Sequence, residues 1–188
     1  MGLGIRKSIG KVLRNIRKYE FRLRKFLLGF ENALCMFYYI DKYSAKKILS
    51  DQKVKIGKNC DIETPLYFHN CNDFSNLNIG DNCHIGKNCF FDLSDEIFIK
   101  DNVVVSMQCT FLTHMNALHS KVLQVYPKTK KPIIINNDSY IGANCTILMG
   151  VVLGSCNVVT AGSVVIKSSP QNSLMAGVPA IITKQIKF

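Results

Sequence analysis

From Ile5 to about Ile40, apolar residues recur in steps of three or four, at Ile5, Ile9, Val12, Ile16, Tyr19, Leu23, Phe26, Phe30, Leu34 and Phe37. That spacing draws one stripe along a helix. The other faces of its first half are cationic, with Arg6, Lys7, Lys11, Arg14, Arg17, Lys18, Arg22, Arg24 and Lys25. Gly29 predicts a break between a basic first helix and a more apolar second one, and a further short helix or turn is expected around Tyr43 to Leu49.

Beyond Ile56 the count changes to six. Ile56 and Ile62 are followed by Ile79, Ile85 and Phe91, then by Ile99, Val105 and Phe111, and then by an unbroken run of Ile135, Ile141, Ile147, Leu153, Val159 and Val165. A period of six marks a β-helix, in which each hexapeptide supplies a short strand and a turn and stacked coils bury a core that no single coil could bury. The phase slips around 63–78, 92–98 and 112–134, which predicts three insertions, the last and longest a projecting loop. Four residues after the large apolar position stand Cys60, Cys83, Cys89, Val103, Cys109, Ser139, Cys145, Val151, Asn157 and Ser163, all of modest size. Five of the eight cysteines are thereby assigned to packing, a role that suits the free thiol as a small hydrophobe.

Charge sharpens this division. Of the 188 residues, 1–50 hold 12 Lys/Arg against 3 Asp/Glu, whereas 51–188 hold 12 against 10, so the net charge of +11 belongs mostly to the helical segment. A basic amphipathic segment over 1–50 and a β-helix domain over 51–188 are the expected units. The apolar run Ala33 to Ile40 is far short of the roughly 20 residues of a membrane span. Arg and Lys recur where a secretory leader needs an apolar core, no Cys-x-x-Cys pair is present, and Arg6 stands where N-myristoylation asks for Ser or Thr. A cytoplasmic location is expected. Nucleic acid is not an expected partner, because the basic residues come without a recognisable binding fold or interleaved exposed aromatics.

With these registers, "IGKNCD", "IGDNCH", "IGKNCF" and "IGANCT" resemble the repeats of the left-handed parallel β-helix acetyltransferases. The resemblance covers about residues 53–188, and handedness comes from it, against the general preference for right-handed crossovers. Three features narrow it toward the galactoside, maltose and surface-polysaccharide enzymes: "FLTH" before the loop, "DSYIGAN" after it, and the closing "AGSVVIKSSPQNSLMAGVPAIITK" with its short tail. It implies acetyl transfer from acetyl-CoA to a sugar hydroxyl, a homotrimer, no metal, and an acceptor in a surface polysaccharide or its precursor.

The resemblance also implies roles. Removing a hydroxyl proton during attack suits a neutral imidazole, and His114 matches the family's catalytic histidine; His69, His84 and His119 do not. The backbone N–H of Ala143, after Gly142, is the implied oxyanion donor. Ala161, Gly162 and Ser163 are expected along the pantetheine channel, and Lys167 and Lys184 near the CoA phosphates. Asp92 matches a position, often Asn, that contacts the acceptor sugar; Tyr140 stands where the family motif usually carries Trp, and Tyr126 is a loop residue that could meet a sugar ring.

The basic segment caps the first coil in one reading and lies on an anionic inner leaflet in another, and the two are compatible. Rival functions are N-acetylation of an amino sugar, a metalloenzyme resembling the β-helix carbonic anhydrases with His84, His114 and His119 as ligands, and a non-enzymatic trimeric scaffold at the membrane.

Overall fold

The computed structural model describes residues 2–52 and 54–188, with side chains from residue 8 onward, so the side chains of Ile5, Arg6 and Lys7 lie outside the described part. Helix α1 (Gly2–Leu28) stops at Gly29, whose φ of +87° suits a residue without a Cβ. Helix α2 (Phe30–Leu34) runs into a single 3-10 turn, Cys35–Tyr38, and helix α3 (Lys42–Asp51) follows, capped by Asp41, whose carboxylate accepts from the Tyr43 and Ser44 N–H groups.

The rest of the chain winds through three parallel sheets. The first face stacks Lys55–Ile56, Leu77–Ile79, Ile97–Ile99, Ile133–Ile135 and Val152–Leu153. The second stacks Asp61–Ile62, His84–Ile85, Val104–Val105, Tyr140–Ile141 and Val158–Val159, and is closed by the hairpin Ser173–Gly177/Ala180–Gln185. The third stacks Leu66–His69, Cys89–Asp92, Thr110–Leu112, Thr146–Leu148 and Val164–Val165. Each turn of chain visits the faces in that order, giving five complete coils.

Two predicted insertions are shorter than the sequence suggested. Leu66–His69 falls inside the 63–78 break, and Phe68 keeps the count of six from Ile56 and Ile62. An aromatic stands there in place of an aliphatic residue because the core is built on phenylalanine at that end. Phe68 stacks on Phe91 at 5.8 Å and Phe91 on Phe111 at 5.2 Å, while Phe68 also meets Phe37 and Phe74 of the cap region at 5.1 and 5.0 Å. The 92–98 break likewise shrinks, since Ile97–Ile99 is a strand of the first face. The 112–134 excursion holds, closed at its base by a short antiparallel pair in which His114 faces Lys130 and Met115 faces Thr129.

The cap is made differently from the expected stripe. Phe30, Leu34 and Phe37 do pack on the first coil, but in α1 the fully buried residue is Phe21, which is off the stripe. Ile9, Val12, Ile16, Tyr19, Leu23 and Phe26 are exposed. Polar contacts fix this orientation: Arg22 Nε donates to Asp51 Oδ2 at 2.7 Å and Lys25 Nζ to Gln52 Oε1 at 2.9 Å, both on the side away from the stripe.

The repeat's two marker positions have distinct physical causes. The glycine after the aliphatic residue faces the next coil's backbone, and a Cβ on Gly86 would stand 2.6 Å from the Met107 nitrogen. The small residue is also a donor. The thiols of Cys60, Cys83, Cys109 and Cys145 point at the carbonyls of Gly80, Lys100, Gly142 and Thr160 in the next coil, at 2.9 to 3.2 Å, and the Ser139 hydroxyl does the same to Gly154. Each such bond ties a corner carbonyl to the coil beneath it. Gly86→Ala is expected to lose about 1–3 kcal/mol of stability by forcing two coils apart, read as a lowered thermal midpoint with an unchanged β-sheet circular dichroism signal at room temperature.

Candidate active site

His114 follows the third-face strand Thr110–Leu112 at the root of the loop, its side chain 26% exposed. Directly behind it sits Asp92, at the end of Cys89–Asp92 one coil below, with its side chain 1% exposed. The His114 Nδ1 lies 2.6 Å from Asp92 Oδ2. Asn70, at the same corner of the coil below that, donates Nδ2 to Asp92 Oδ1 at 2.9 Å. The spacings are 22 positions from Asn70 to Asp92 and 22 from Asp92 to His114, so the three form a polar column where the chain leaves the third face.

The carboxylate is saturated with donors. Its Oδ2 also accepts from the Thr113 N–H at 2.9 Å, the Thr113 hydroxyl at 3.0 Å and the His114 N–H at 3.1 Å, and Oδ1 accepts from the Ser94 hydroxyl at 3.0 Å. Burial by itself pushes the Asp92 carboxyl up, but the hydrogen bonds from His114, Asn70 and Thr113 outweigh it and hold the group down at about 2. An ionised Asp92 accepts a hydrogen bond from Nδ1–H, which fixes the tautomer in which Nε2 carries the lone pair, 3.4 Å from Asn70 Nδ2. Asp92 is therefore not an acceptor contact in this structure: both oxygens are occupied and the side chain is covered, so it positions His114 instead.

In front of the ring is a cavity of about 320 Å³ lined by Asn70, Ser94, His114, Asn116, Lys128 and Lys130. Of these, sequence reasoning had found only His114. Lys130 is brought there by the pairing of its strand with His114, and its ammonium donates to the Ser94 carbonyl at 3.2 Å.

The other expected residues lie elsewhere on the chain. Gly142 and Ala143 form the corner between the second and third faces, stacked under Ala161 and Gly162. Gly142 must lack a side chain, since a Cβ would stand 2.5 Å from the Ala161 nitrogen. The Ala143 carbonyl accepts from the Gly162 N–H at 2.8 Å, while the Ala143 N–H finds no acceptor among the described residues. His114 stands at the opposite edge of the third face, so one chain alone does not bring this corner to the imidazole. Ser163 is buried, and its hydroxyl meets Thr160 at 3.0 Å and the Gly177 N–H at 3.2 Å, so its side chain faces the core. Lys167 and Lys184 are exposed near the closing hairpin. Tyr140 is exposed on the second face and Tyr126 on the loop, and neither lines the His114 cavity. Of the rival metal ligands, His84 sits on the second face beside Asp61 and His119 lies out on the loop, and among the described residues of one chain no group of three or more His, Cys, Asp or Glu converges.

Three parallel sheets stacked from six-residue repeats and interrupted by one long loop define the fold of the hexapeptide-repeat class. The chain belongs to this family of acetyltransferases, with the left-handed coil its repeats imply. The family model "hexapeptide repeat of succinyl-transferase" matches residues 77–107 and 132–167. Galactoside O-acetyltransferase of Escherichia coli (strain K12) is 30% identical over 141 residues, covering 75% of this chain and 68% of that one. A solved galactoside acetyltransferase in complex with coenzyme A superposes with a TM-score of 0.71 at 29% identity, over 90% of this chain and 82% of that one. A hexapeptide-repeat acetyltransferase from Vibrio cholerae, complexed with acetyl coenzyme A, gives 0.69 at 25% identity, over 95% and 89%.

Because Asp92 is ionised more readily in the folded chain than its usual value of about 3.9, it contributes stability that is fully present above about pH 4 and is lost as pH falls toward 2. The expected loss is roughly 2 kcal/mol. Urea midpoints measured across that window should fall for the wild type, and fall less steeply for Asp92→Asn.

Proposed function

We propose that this protein transfers an acetyl group from acetyl-CoA to a hydroxyl of a sugar, within the biosynthesis of a bacterial surface polysaccharide. The observation that carries this reading is the Asp92–His114 pair, with the free edge of the ring facing a polar cavity. In the proposed step, His114 Nε2 takes the proton of the acceptor hydroxyl as its oxygen bonds to the thioester carbonyl carbon. Asp92 holds the ring in the needed tautomer and offsets the imidazolium charge. The tetrahedral oxyanion accepts a hydrogen bond from the Ala143 N–H, and collapse expels the CoA thiolate, which recovers the proton from His114. No acyl-enzyme is needed. The inward-facing thiols of Cys109 and Cys145 are engaged by coil carbonyls, consistent with direct transfer in a ternary complex.

The separation of His114 from the Ala143 corner on one chain supports a homotrimer, in which the cavity of one subunit meets the corner of the next. Ala161, Gly162, Lys167 and Lys184 then belong to the CoA side of that interface, Ala161 and Gly162 through small groups and backbone atoms. The eight free cysteines fit a reducing cytoplasm. A second reading, acetylation of an amine, has support in 2,3,4,5-tetrahydropyridine-2,6-dicarboxylate N-acetyltransferase of Clostridium perfringens (strain SM101 / Type A). It is 48% identical over 60 residues, but these span only 32% of this chain and 25% of that one.

Acetyl-CoA consumption with matched hydroxyl and amino sugars tests both. His114→Ala is expected to lower kcat by about 10²–10⁴, with acetyl-CoA affinity retained and hydroxyl sugars preferred. An unchanged rate removes His114 as the base, and absent acetyl-CoA binding removes the transferase reading.

A further inference from the structure

Helix α1 turns its largest apolar face away from the protein. Ile9, Val12, Leu13 and Ile16 are 54–55% exposed, Leu23 57%, Leu27 63% and Phe26 85%. At 100° per residue these share one side of the helix. The contacts that hold α1 lie on the other side, where Phe21 is fully buried and Lys18 and Arg22 reach Asp51.

The borders of this face are basic. Arg17 and Arg24 line one edge and Lys11 the other. The single acidic residue of α1, Glu20, is already engaged by Arg17 at 2.7 Å and Arg24 at 3.0 Å. Tyr19, 60% exposed at the margin of the stripe, has the Lys18 ammonium 4.6 Å from its ring centre. Long basic side chains flanking an apolar stripe can lay their stems along it and hold their charges at its rim. No helix among the described residues is long and apolar enough to cross a membrane.

We propose that this face of α1 docks in the plane of an anionic lipid bilayer, its apolar residues at the boundary of headgroups and acyl chains and its arginines and lysines at the lipid phosphates. Charge complementarity selects this occupant over a second copy of the chain, because pairing the face with itself sets one basic border against another.

Co-sedimentation of the full chain with phosphatidylcholine vesicles, with and without phosphatidylglycerol, tests the proposal. Binding is expected to the phosphatidylglycerol vesicles and to weaken by about tenfold or more when that lipid is omitted or the salt raised. The double variant Ile16→Glu/Leu23→Glu, at two exposed positions, is expected to lose binding to the anionic vesicles by at least about tenfold, with melting midpoint, helical circular dichroism and solution mass unchanged. Wild type that stays in the supernatant with anionic vesicles, or a variant that sediments like the wild type, overturns it. A variant of reduced solution mass also overturns it, and makes the face an interface between copies. The readout is independent of acetyl transfer, so its failure leaves the enzymatic reading untouched.

Discussion

Everything in this molecule depends on one chain segment lying directly above another at the spacing of a parallel β-ladder. Backbone groups bond upward, as in Gly142 N–H to Val159 C=O and Thr146 N–H to Ser163 C=O, and each coil therefore repeats the shape of the one beneath. Side chains must then agree in columns. A residue is acceptable only if it fits both the coil it belongs to and the two it touches, which is why large apolar groups, glycines and small donors each return at a fixed place.

That demand explains what could be read in advance. The aliphatic columns, the glycines and the cysteines were legible because every coil uses them in the same way. Phe68 was not, because the irregular stretch that follows its coil breaks the count just after it. The cap was half legible: the period of α1 announced an amphipathic helix, but periodicity does not say which side meets the protein. Asp51 and Gln52, distant in sequence, decide that through Arg22 and Lys25.

The polar column shows the same limit. His114 was named by resemblance and Asp92 as an acceptor contact, but the contact between the two was not foreseen, because the extra residues after Asp92 obscure which side chains meet. The ladder pairs Phe91 with Phe111 and so sets Asp92 level with Leu112, and the chain leaving the face just beyond turns Thr113 and His114 back onto the Asp92 carboxylate. The repeated interval from Asn70 to Asp92 to His114 was present in the sequence, yet it matches neither the hexapeptide count nor the ladder, which pairs Asp92 with His69, and only the side-chain hydrogen bonds give it meaning. Lys128 and Lys130 carried no signal, since a loop lysine looks alike whether it faces solvent or a cavity.

The excursion after coil three is pinned at both roots, by the ladder under His114 and by the pairing of His114 with Lys130 and of the Lys131 N–H with the Thr113 carbonyl. Residues 116–128 therefore hang from a fixed frame. A change in the length or sequence of that stretch reshapes the rim of the cavity at Asn116 and Lys128 while leaving the Asp92–His114 pair in its frame.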